Sequence, residues 1–383
     1  MLVGMSGAAR DSGAQPVPFI RRVRVRNFRS IAECDVTLGP LTVLLGFNAS
    51  GKSNFLDAIH FAADALAWGS GRAVANRGSL ETLFHRSVDR TAESFEIRLD
   101  FNVHLPDAAT SYVVEYGFTI GPDPTGEAPA LMLNETGEAR NPDGSRFPIE
   151  FPLSGPQATA TAALQRSRFY ELDSTALRAL DESPSKQPAL GPAGEHLGPT
   201  LGALAARDPS GKERLDGYLA ALVPGALSID ERHEGRYSTV QARFAAGESD
   251  EVFLRESLSE GTLRAAGVLT ALFQPQAFSG RIPLVVLEEP ETALHPSGVG
   301  ALYEALDDAS KRTQVIVTSQ SSDLLDNEYV QLSQVRAVAQ IDGATRIGEV
   351  DAAGQAIVEK GLMTISELHR SGQMLPAYEH RER

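Results

Sequence analysis

The sequence is short of cysteine, tryptophan and long apolar runs, and each shortage excludes something. Its 383 residues include one cysteine, Cys34, and one tryptophan. A single cysteine can form neither an internal disulfide nor a cysteine-based zinc site, which fits a reducing cytoplasm. No apolar stretch approaches the roughly 18 residues that span a bilayer. The opening MLVGMSGAARDSGAQPVP lacks the basic and then apolar order of a signal peptide. Residues 1–17 read as a flexible tail, and no membrane partner is expected. Neither an internal repeat nor a sustained heptad pattern is visible, so long coiled-coil arms are not expected. Positive charge is scarce as well: 35 Lys and Arg against 50 Asp and Glu leave a net charge of −15. Such a chain does not coat nucleic acid with its whole surface, although a local basic patch remains open.

Material for a core is plentiful. Hydrophobic residues make up 42% of the chain, which excludes global disorder. The length suggests two to three folding units, or one large domain with insertions. Residues 18–103 read as an N-terminal lobe of short strands, FIRRVRVRNF, CDVTL and LTVLL, followed by a helix over about 53–68. Phe55, Leu56, Ile59, Ala63 and Leu66 recur there at helical spacing. Period-two alternation runs through Phe95–Val103 and again from Tyr112 to Ile120, the pattern of antiparallel strands with one solvated face. Residues 104–225 read as a β-rich and helical insertion. Within it 121–160 is turn-rich, with NPDGS at 141–145, and 183–211 reads as a loop or linker. A helix is expected over Leu215–Leu222. Residues 226–383 read as a C-terminal lobe of α/β character. Its strands Leu284–Leu287 and Gln314–Val317 flank a helix at Gly298–Ser310, which points to a mainly parallel sheet.

Two motifs carry chemistry. Gly46-Phe47-Asn48-Ala49-Ser50-Gly51-Lys52-Ser53 follows an apolar strand and opens a helix. Backbone N–H groups in such a loop make a concave anion site, and the helix N-terminus adds positive potential. Lys52 should reach the β- and γ-phosphates, and the Ser53 hydroxyl should ligate Mg²⁺. A chance Gly-rich turn could share these letters, but the strand-to-helix context favours a phosphate cradle. Ile282-Pro-Leu-Val-Val-Leu-Glu288-Glu289-Pro290-Glu291 then places paired carboxylates at the end of a buried strand, where α/β sheets bind ligands. Glu288 suits the metal and Glu289 suits a base that activates water. By itself such a pair is also what a solvated acidic turn would show.

The residues now carry a family resemblance. Leu258-Ser259-Glu260-Gly261-Thr262 resembles the signature motif of ABC-type ATPases and precedes Glu288 by a helix-plus-strand spacing. Leu294-His295-Pro296 is similar to the D-loop region of the SMC/RecF-like branch, and RVRNFRSI at 24–31 resembles the first strand of that branch. The order of phosphate loop, signature, carboxylates, D-loop and switch spans both halves of the chain. It is weak over 104–225. The sequence thus resembles compact SMC/RecF-like ABC-type ATPases, sometimes labelled AAA-type. The resemblance implies a P-loop ABC-type ATPase head with a mixed central sheet, an antiparallel β subdomain and a helical or loop insertion. It also implies ATP and Mg²⁺ as cofactors, with Asn54 and Arg26 among the nucleotide-binding residues. A homodimer formed head-to-tail on ATP follows, with nucleotide between Lys52 of one subunit and the Ser259–Gly261 cap of the other. Such a dimer would act as a slowly hydrolysing switch or clamp on DNA or a DNA-associated partner, in repair, chromosome maintenance or phage defence. In the last case a separate effector protein would be the partner.

Departures from the family pattern shape these expectations. Glu288-Glu289 replaces the usual Asp-Glu. The switch position after the last strand is Gln320, which can hydrogen-bond a phosphate but cannot carry a proton or positive charge. Slow turnover is expected. No glutamine occurs between Gln15 and Gln157, so the usual Q-loop glutamine is missing, and His85 within Arg77–Arg86 is the substitute considered.

Arg22, Arg24 and Arg26 share one strand face, read either as a contact for nucleotide or DNA phosphates or as a solvated face balanced by acidic residues. His295 reads as a loop residue and Cys34 as a core thiol. Two other functions compete: an ATP-stabilised scaffold for an effector protein with little turnover, and a transporter ATPase subunit. Against the latter stand the long β-rich insertion and the missing Q-loop glutamine.

Overall fold

The computed structural model describes residues 19–87, 91–104, 111–123, 125, 131–140, 145–148, 155–182, 189–247 and 249–378. The expected tail at 1–17, most of the 141–145 turn and residues 183–188 lie outside this set. In chain order the strands are β1 (Ile20–Phe28), β2 (Ile31–Thr37), β3 (Leu41–Leu45), β4 (Phe95–His104), β5 (Ser111–Gly121), β6 (Leu131–Arg140), β7 (Arg146–Pro148) and β8 (Arg168–Tyr170). They continue with β9 (Asp181–Glu182), β10 (Ala226–Glu234), β11 (Tyr237–Ala246), β12 (Ser249–Leu254), β13 (Leu284–Glu288), β14 (Gln314–Ser319), β15 (Val335–Ile341) and β16 (Ala344–Gly348).

They form three sheets. The central one has the order β16-β15-β3-β14-β13-β8 and is parallel except for the β15–β16 hairpin. Its inner strands are almost wholly buried because both faces are covered. Leu41, Val43 and Leu45 of β3, with Val285, Leu287, Val315 and Val317, enter one core beside the helix Glu260–Phe273. Leu44, Leu284, Val286 and Ile316 point the other way, into a second core. The helix Lys52–Trp68 fills that side with Phe55, Leu56, Ile59 and Phe61.

The second sheet, β2-β1-β4-β5-β6-β7, is antiparallel. Its alternation is the one anticipated: Val23, Val25, Ile97, Leu99, Val114 and Phe118 are buried against the phosphate-loop helix. Gln314 at the start of β14 ties this sheet to the central one. Its Nε2 donates to the carbonyls of Ile20 (2.8 Å) and Gly39 (2.9 Å), and its Oε1 accepts from the Ile20 N–H at 2.8 Å. The third sheet, β10-β11-β12 with β9 paired to β11, packs on the helices Leu197–Arg207 and Pro209–Leu222.

The fold is therefore α/β with a mixed central sheet and an antiparallel subdomain. The stretch 104–225 is distributed over all three sheets: β5, β6 and β7 extend the second, β8 closes the central one, and β9 joins the third. Two local expectations are corrected. Residues 121–160 include β6 and the start of the helix Gly155–Arg166. Residues 197–207, read as linker, form a helix whose Leu197, Leu201 and Leu204 are buried. Gly198 and Pro199 hid that helix; the leucine spacing of four and three was the signal for it. Among the described residues no helix is long and apolar enough to cross a membrane.

Candidate active site

The parallel strands β3, β14 and β13 end side by side, so their C-terminal loops converge on one place. After β3 the chain enters the phosphate loop. Ala49 (φ 61°) and Gly51 (φ 103°) adopt left-handed backbone, which makes the loop curl before the helix Lys52–Trp68 begins. The curl leaves no room for side chains. A Cβ on Gly46 would lie 2.2 Å from the Val338 carbonyl oxygen, and one on Gly51 would lie 2.0 Å from Thr345 Oγ1. Thr345, at the start of the last strand, clamps the loop from outside. Its Oγ1 donates to the Ser50 carbonyl at 2.9 Å and lies 2.7 Å from Ser30 Oγ, which in turn accepts from Asn54 Nδ2 at 2.6 Å. No local pattern marks Thr345, which reaches the loop across 295 residues.

Lys52 is buried, and its ammonium donates to the carbonyls of Gly46 (2.7 Å) and Phe47 (3.1 Å). Burial lowers its pKa, while the charges of Glu289, Glu291 and Glu288 oppose that shift. The Ser50 hydroxyl is buried without a partner. Ser53 Oγ donates to Glu288 Oε2 at 2.5 Å, bringing together the two residues expected at the metal. Burial holds the Glu288 carboxyl above its usual range; the Ser53 hydrogen bond counteracts this, and Glu171, Glu289 and Asp57 reinforce it.

Glu171 was not anticipated. Tyr170 of β8 pairs with Leu287 of β13, so Glu171 and Glu288 emerge side by side. With Leu56, Asp57, His60 and Tyr170 they line a cleft of about 330 Å³. His85 does not join this group. Its Nδ1 donates to the Arg29 carbonyl at 2.9 Å, and its backbone N–H bonds Asn27.

Glu289 sits in left-handed backbone, φ 43°, pinned by its N–H to the carbonyl and hydroxyl oxygens of Thr318, each at 3.1 Å. Its Oε2 accepts from Gln320 Nε2 at 3.0 Å. Glu291 lies deeper. Its Oε1 accepts from Ser319 Oγ at 2.5 Å, and its Oε2 is buried and unpartnered.

Ser259 caps the helix Glu260–Phe273, accepting from the Thr262 N–H at 3.1 Å. A Cβ on Gly261 would lie 2.4 Å from the Ala293 carbonyl, so the signature segment packs on the D-loop segment. Among the described residues no hydrogen bond joins Ser259 or Gly261 to the phosphate loop. Arg26 is also held elsewhere, by Glu33 at 2.8 Å and Glu96 at 3.9 Å. Arg22 pairs with Asp35, and Arg24 pairs with Asp100 and Glu115. The arginine row is charge-compensated. His295 accepts from the Ser297 N–H in its loop, and burial pushes the Cys34 thiol up to about 12.

The residues fit the groups expected of them. The loop is a glycine-lined cradle, with a buried ammonium and an orphaned hydroxyl beside it. The Ser53–Glu288 pair offers hard oxygen donors. Among the described residues no three His, Cys, Asp or Glu side chains come together as a metal cluster.

Residues 41–326 match the family described as "AAA domain, putative AbiEii toxin, Type IV TA system". The chain belongs to this family. It is 33% identical over 84 residues to the "DNA replication and repair protein RecF" of Gloeobacter violaceus, covering 21% of this chain and 22% of the relative. The same-named protein of Magnetococcus marinus is 36% identical over 81 residues, 21% of each. The chain thus spans about a fifth of the length of these relatives. Among solved structures, an SMC head bound to the C-winged helix domain of ScpA superposes with a TM-score of 0.59 at 17% identity, covering 88% of this chain and 99% of that one. A Pyrococcus yayanosii Smc head with a coiled coil and joint gives 0.53 at 11% identity, over 91% and 100%. The fold is that of an SMC head, the one that the resemblance to SMC/RecF-like ABC-type ATPases implied.

Proposed function

We propose that this chain binds ATP with Mg²⁺, closes head-to-tail with a second copy, and reopens on slow hydrolysis. The observation that carries the reading is the Ser53–Glu288 pair set beside the Lys52 cradle at the convergent ends of β3 and β13. In this reading Lys52 and the loop N–H groups take the phosphates. Ser53 and Glu288 would hold the Mg²⁺, which when bound neutralises charge on the phosphate oxygens. Glu289 accepts the proton of the attacking water, and Gln320 fixes the carboxylate through its amide. Gln320 carries no proton and no positive charge to the terminal phosphate, which supports slow turnover. Ser259 and Gly261 make no bond to their own phosphate loop, and an N-capped helix start supplies N–H groups to an anion on a facing subunit.

The clamp would act on DNA or a DNA-associated partner. The partial likeness to RecF DNA replication and repair proteins supports the DNA version, and the family's description as a putative toxin of a toxin–antitoxin system supports one in which a separate effector protein is the partner. The paired arginine row gives DNA no ready surface there. Mass measurement of the Glu289→Gln chain with ATP and Mg²⁺ tests the switch: a dimer is expected, and a persistent monomer ends the proposal. A gel shift of the same protein at low salt tests the DNA half, which fails if ATP changes nothing.

The departures Gln320 and Glu288 also favour a second reading, an ATP-stabilised scaffold with little turnover. Single-turnover phosphate release separates the two. A rate equal to that of Lys52→Ala supports the scaffold.

A further inference from the structure

The Ser259–Gly261 cap is gripped by a segment that none of the roles above uses. After β8 the chain runs through Glu171, Leu172 and Asp173, makes a short helix over Ser174–Leu177, and ends that helix at Arg178. Leu172 and Leu177 are buried where Gly267 of the helix Glu260–Phe273 leaves room for them. A Cβ on Gly267 would sit 2.7 Å from Leu177 Cδ2 and 3.0 Å from Leu172 Cδ1. The Asp173 carboxylate holds the turn, accepting from the Thr175 N–H at 2.9 Å and the Ala176 N–H at 3.1 Å. The segment begins at Glu171, beside Glu288, so it ties the cap to the carboxylate end of β13.

The Arg178 guanidinium reaches across 77 and 80 residues to the turn that leads into the cap. Its Nη1 donates to the Arg255 carbonyl and its Nη2 to the Leu258 carbonyl, each at 2.7 Å. Arg255 Nη1 donates in return to the Arg178 carbonyl at 3.1 Å. Among the described residues Arg178 forms no ion pair, and its side-chain hydrogen bonds all go to main-chain carbonyls. Leu258 is the residue before the cap. A trans peptide is planar, so the bond that fixes the Leu258 carbonyl also sets the direction of the Ser259 N–H, which points the opposite way. The planar fork holds the turn at two carbonyls three residues apart, which a single ammonium does not do. Burial does less of that work. Leu258 is buried, but Glu256, Ser257 and Ser259 are exposed, and so is nearly all of β12, from which the chain enters.

We propose that Arg178 is a positioning residue for the nucleotide of a second copy of this chain. It holds the Ser259–Gly261 cap in the orientation that meets a triphosphate on the facing subunit, and it touches no nucleotide itself. A cap set in advance loses less freedom on docking, so the effect of Arg178 falls on dimer affinity and not on ATP binding by a single chain. The inference rests on the head-to-tail reading above and adds a residue to it.

The test uses the full chain carrying Glu289→Gln, with ATP and Mg²⁺, alone and combined with Arg178→Ala, Arg178→Lys or Ser259→Ala. Mass measurement over a dilution series gives the dimer dissociation constant. Nucleotide titration at concentrations where the chain is monomeric gives its ATP affinity. Arg178→Ala should weaken the dimer by on the order of tenfold or more, with monomer ATP affinity changed less than about twofold. Arg178→Lys, which keeps the charge but can bond only one of the carbonyls, should fall between. With Ser259→Ala already present, Arg178→Ala should add little, because both act through the same cap. Unchanged dimer affinity in Arg178→Ala overturns the inference and leaves the head-to-tail reading standing. A comparable loss of monomer ATP affinity, or losses that add to those of Ser259→Ala, assigns Arg178 a general packing role and overturns it too. A Glu289→Gln chain that stays monomeric removes both the inference and the reading beneath it. Should Arg178→Ala fail to fold, Arg178→Lys decides: a weakened dimer at full monomer ATP affinity supports the proposal, and an unchanged dimer opposes it.

Discussion

Gln320 and Glu289 stand 31 residues apart in sequence, yet the Gln320 amide donates to the Glu289 carboxylate at 3.0 Å. The bond exists because Glu289 follows β13 and Gln320 follows β14, and these strands pair in parallel with Glu288 beside Thr318. A carboxylate at a strained backbone position is thereby given one orientation.

If Glu289 is the base, Glu289→Gln lowers steady-state ATP turnover by roughly 10²–10⁴-fold while leaving nucleotide affinity nearly unchanged. Gln320→Ala, which frees the carboxylate without removing it, gives a smaller loss, on the order of tenfold. Phosphate release at saturating ATP measures both. A Gln320→Ala loss as large as that of Glu289→Gln would show that Gln320 does more than orient.

Lys52→Ala removes a buried ammonium whose partners are backbone carbonyls. The expected result is a chain that is as stable as the original without ligand but no longer stabilised by nucleotide. ATP at 100 times its dissociation constant adds about 2.7 kcal/mol to the unmodified protein, and that gain is absent from the variant in a thermal melt. A variant still shifted by ATP would show that the cradle is not the phosphate site.

Glu291 sets a pH dependence. Burial raises its carboxyl above the ordinary 4.5, the Ser319 hydrogen bond opposes the shift, and nearby Glu289 adds to it. The folded chain thus holds this proton more tightly than the unfolded chain. Its contribution to stability is complete below the unfolded pKa and is lost as pH rises through the folded one. Glu291→Gln, which cannot ionise, should be more stable than the unmodified chain at pH 7, by on the order of 1 kcal/mol. The difference should shrink toward pH 4.5. Denaturant melts across that range check it, and a difference independent of pH would rule out ionisation as its source.

Phe61 locks the phosphate-loop helix to the antiparallel sheet. It is fully buried, with ring centroids 5.2 Å from Phe95 and 6.0 Å from Phe28. Phe61→Ala should cost about 3–5 kcal/mol, read as a lower denaturation midpoint. A cost below about 1 kcal/mol would mean that the cavity collapses.

Much of the site was legible because its signals are local. The glycine spacing from Gly46 to Gly51 reports a backbone that tolerates no Cβ, and Ile282–Glu291 reports a buried strand ending in charge. Alternation made β4 and β5 plain. The helix Leu197–Arg207 was misread because Gly198 and Pro199 resemble loop chemistry, while its burial comes from sheet neighbours far along the chain. β8 is three residues long and gives no periodic signal. Its place beside β13, and with it the position of Glu171, depends on pairing across more than a hundred residues.

The amino-acid order alone thus determined the phosphate loop and the carboxylate strand end, each written within a dozen contiguous residues whose backbone demands are local, and the family resemblance, which is a series of such short motifs in a fixed order. Only the folded chain decided which distant groups meet there: Thr345 on the loop, Gln320 on Glu289, Ser53 on Glu288, and the acidic partners that neutralise Arg22, Arg24 and Arg26. Those meetings are fixed by strand pairing and by packing on both faces of the central sheet, which act between segments that no local pattern connects.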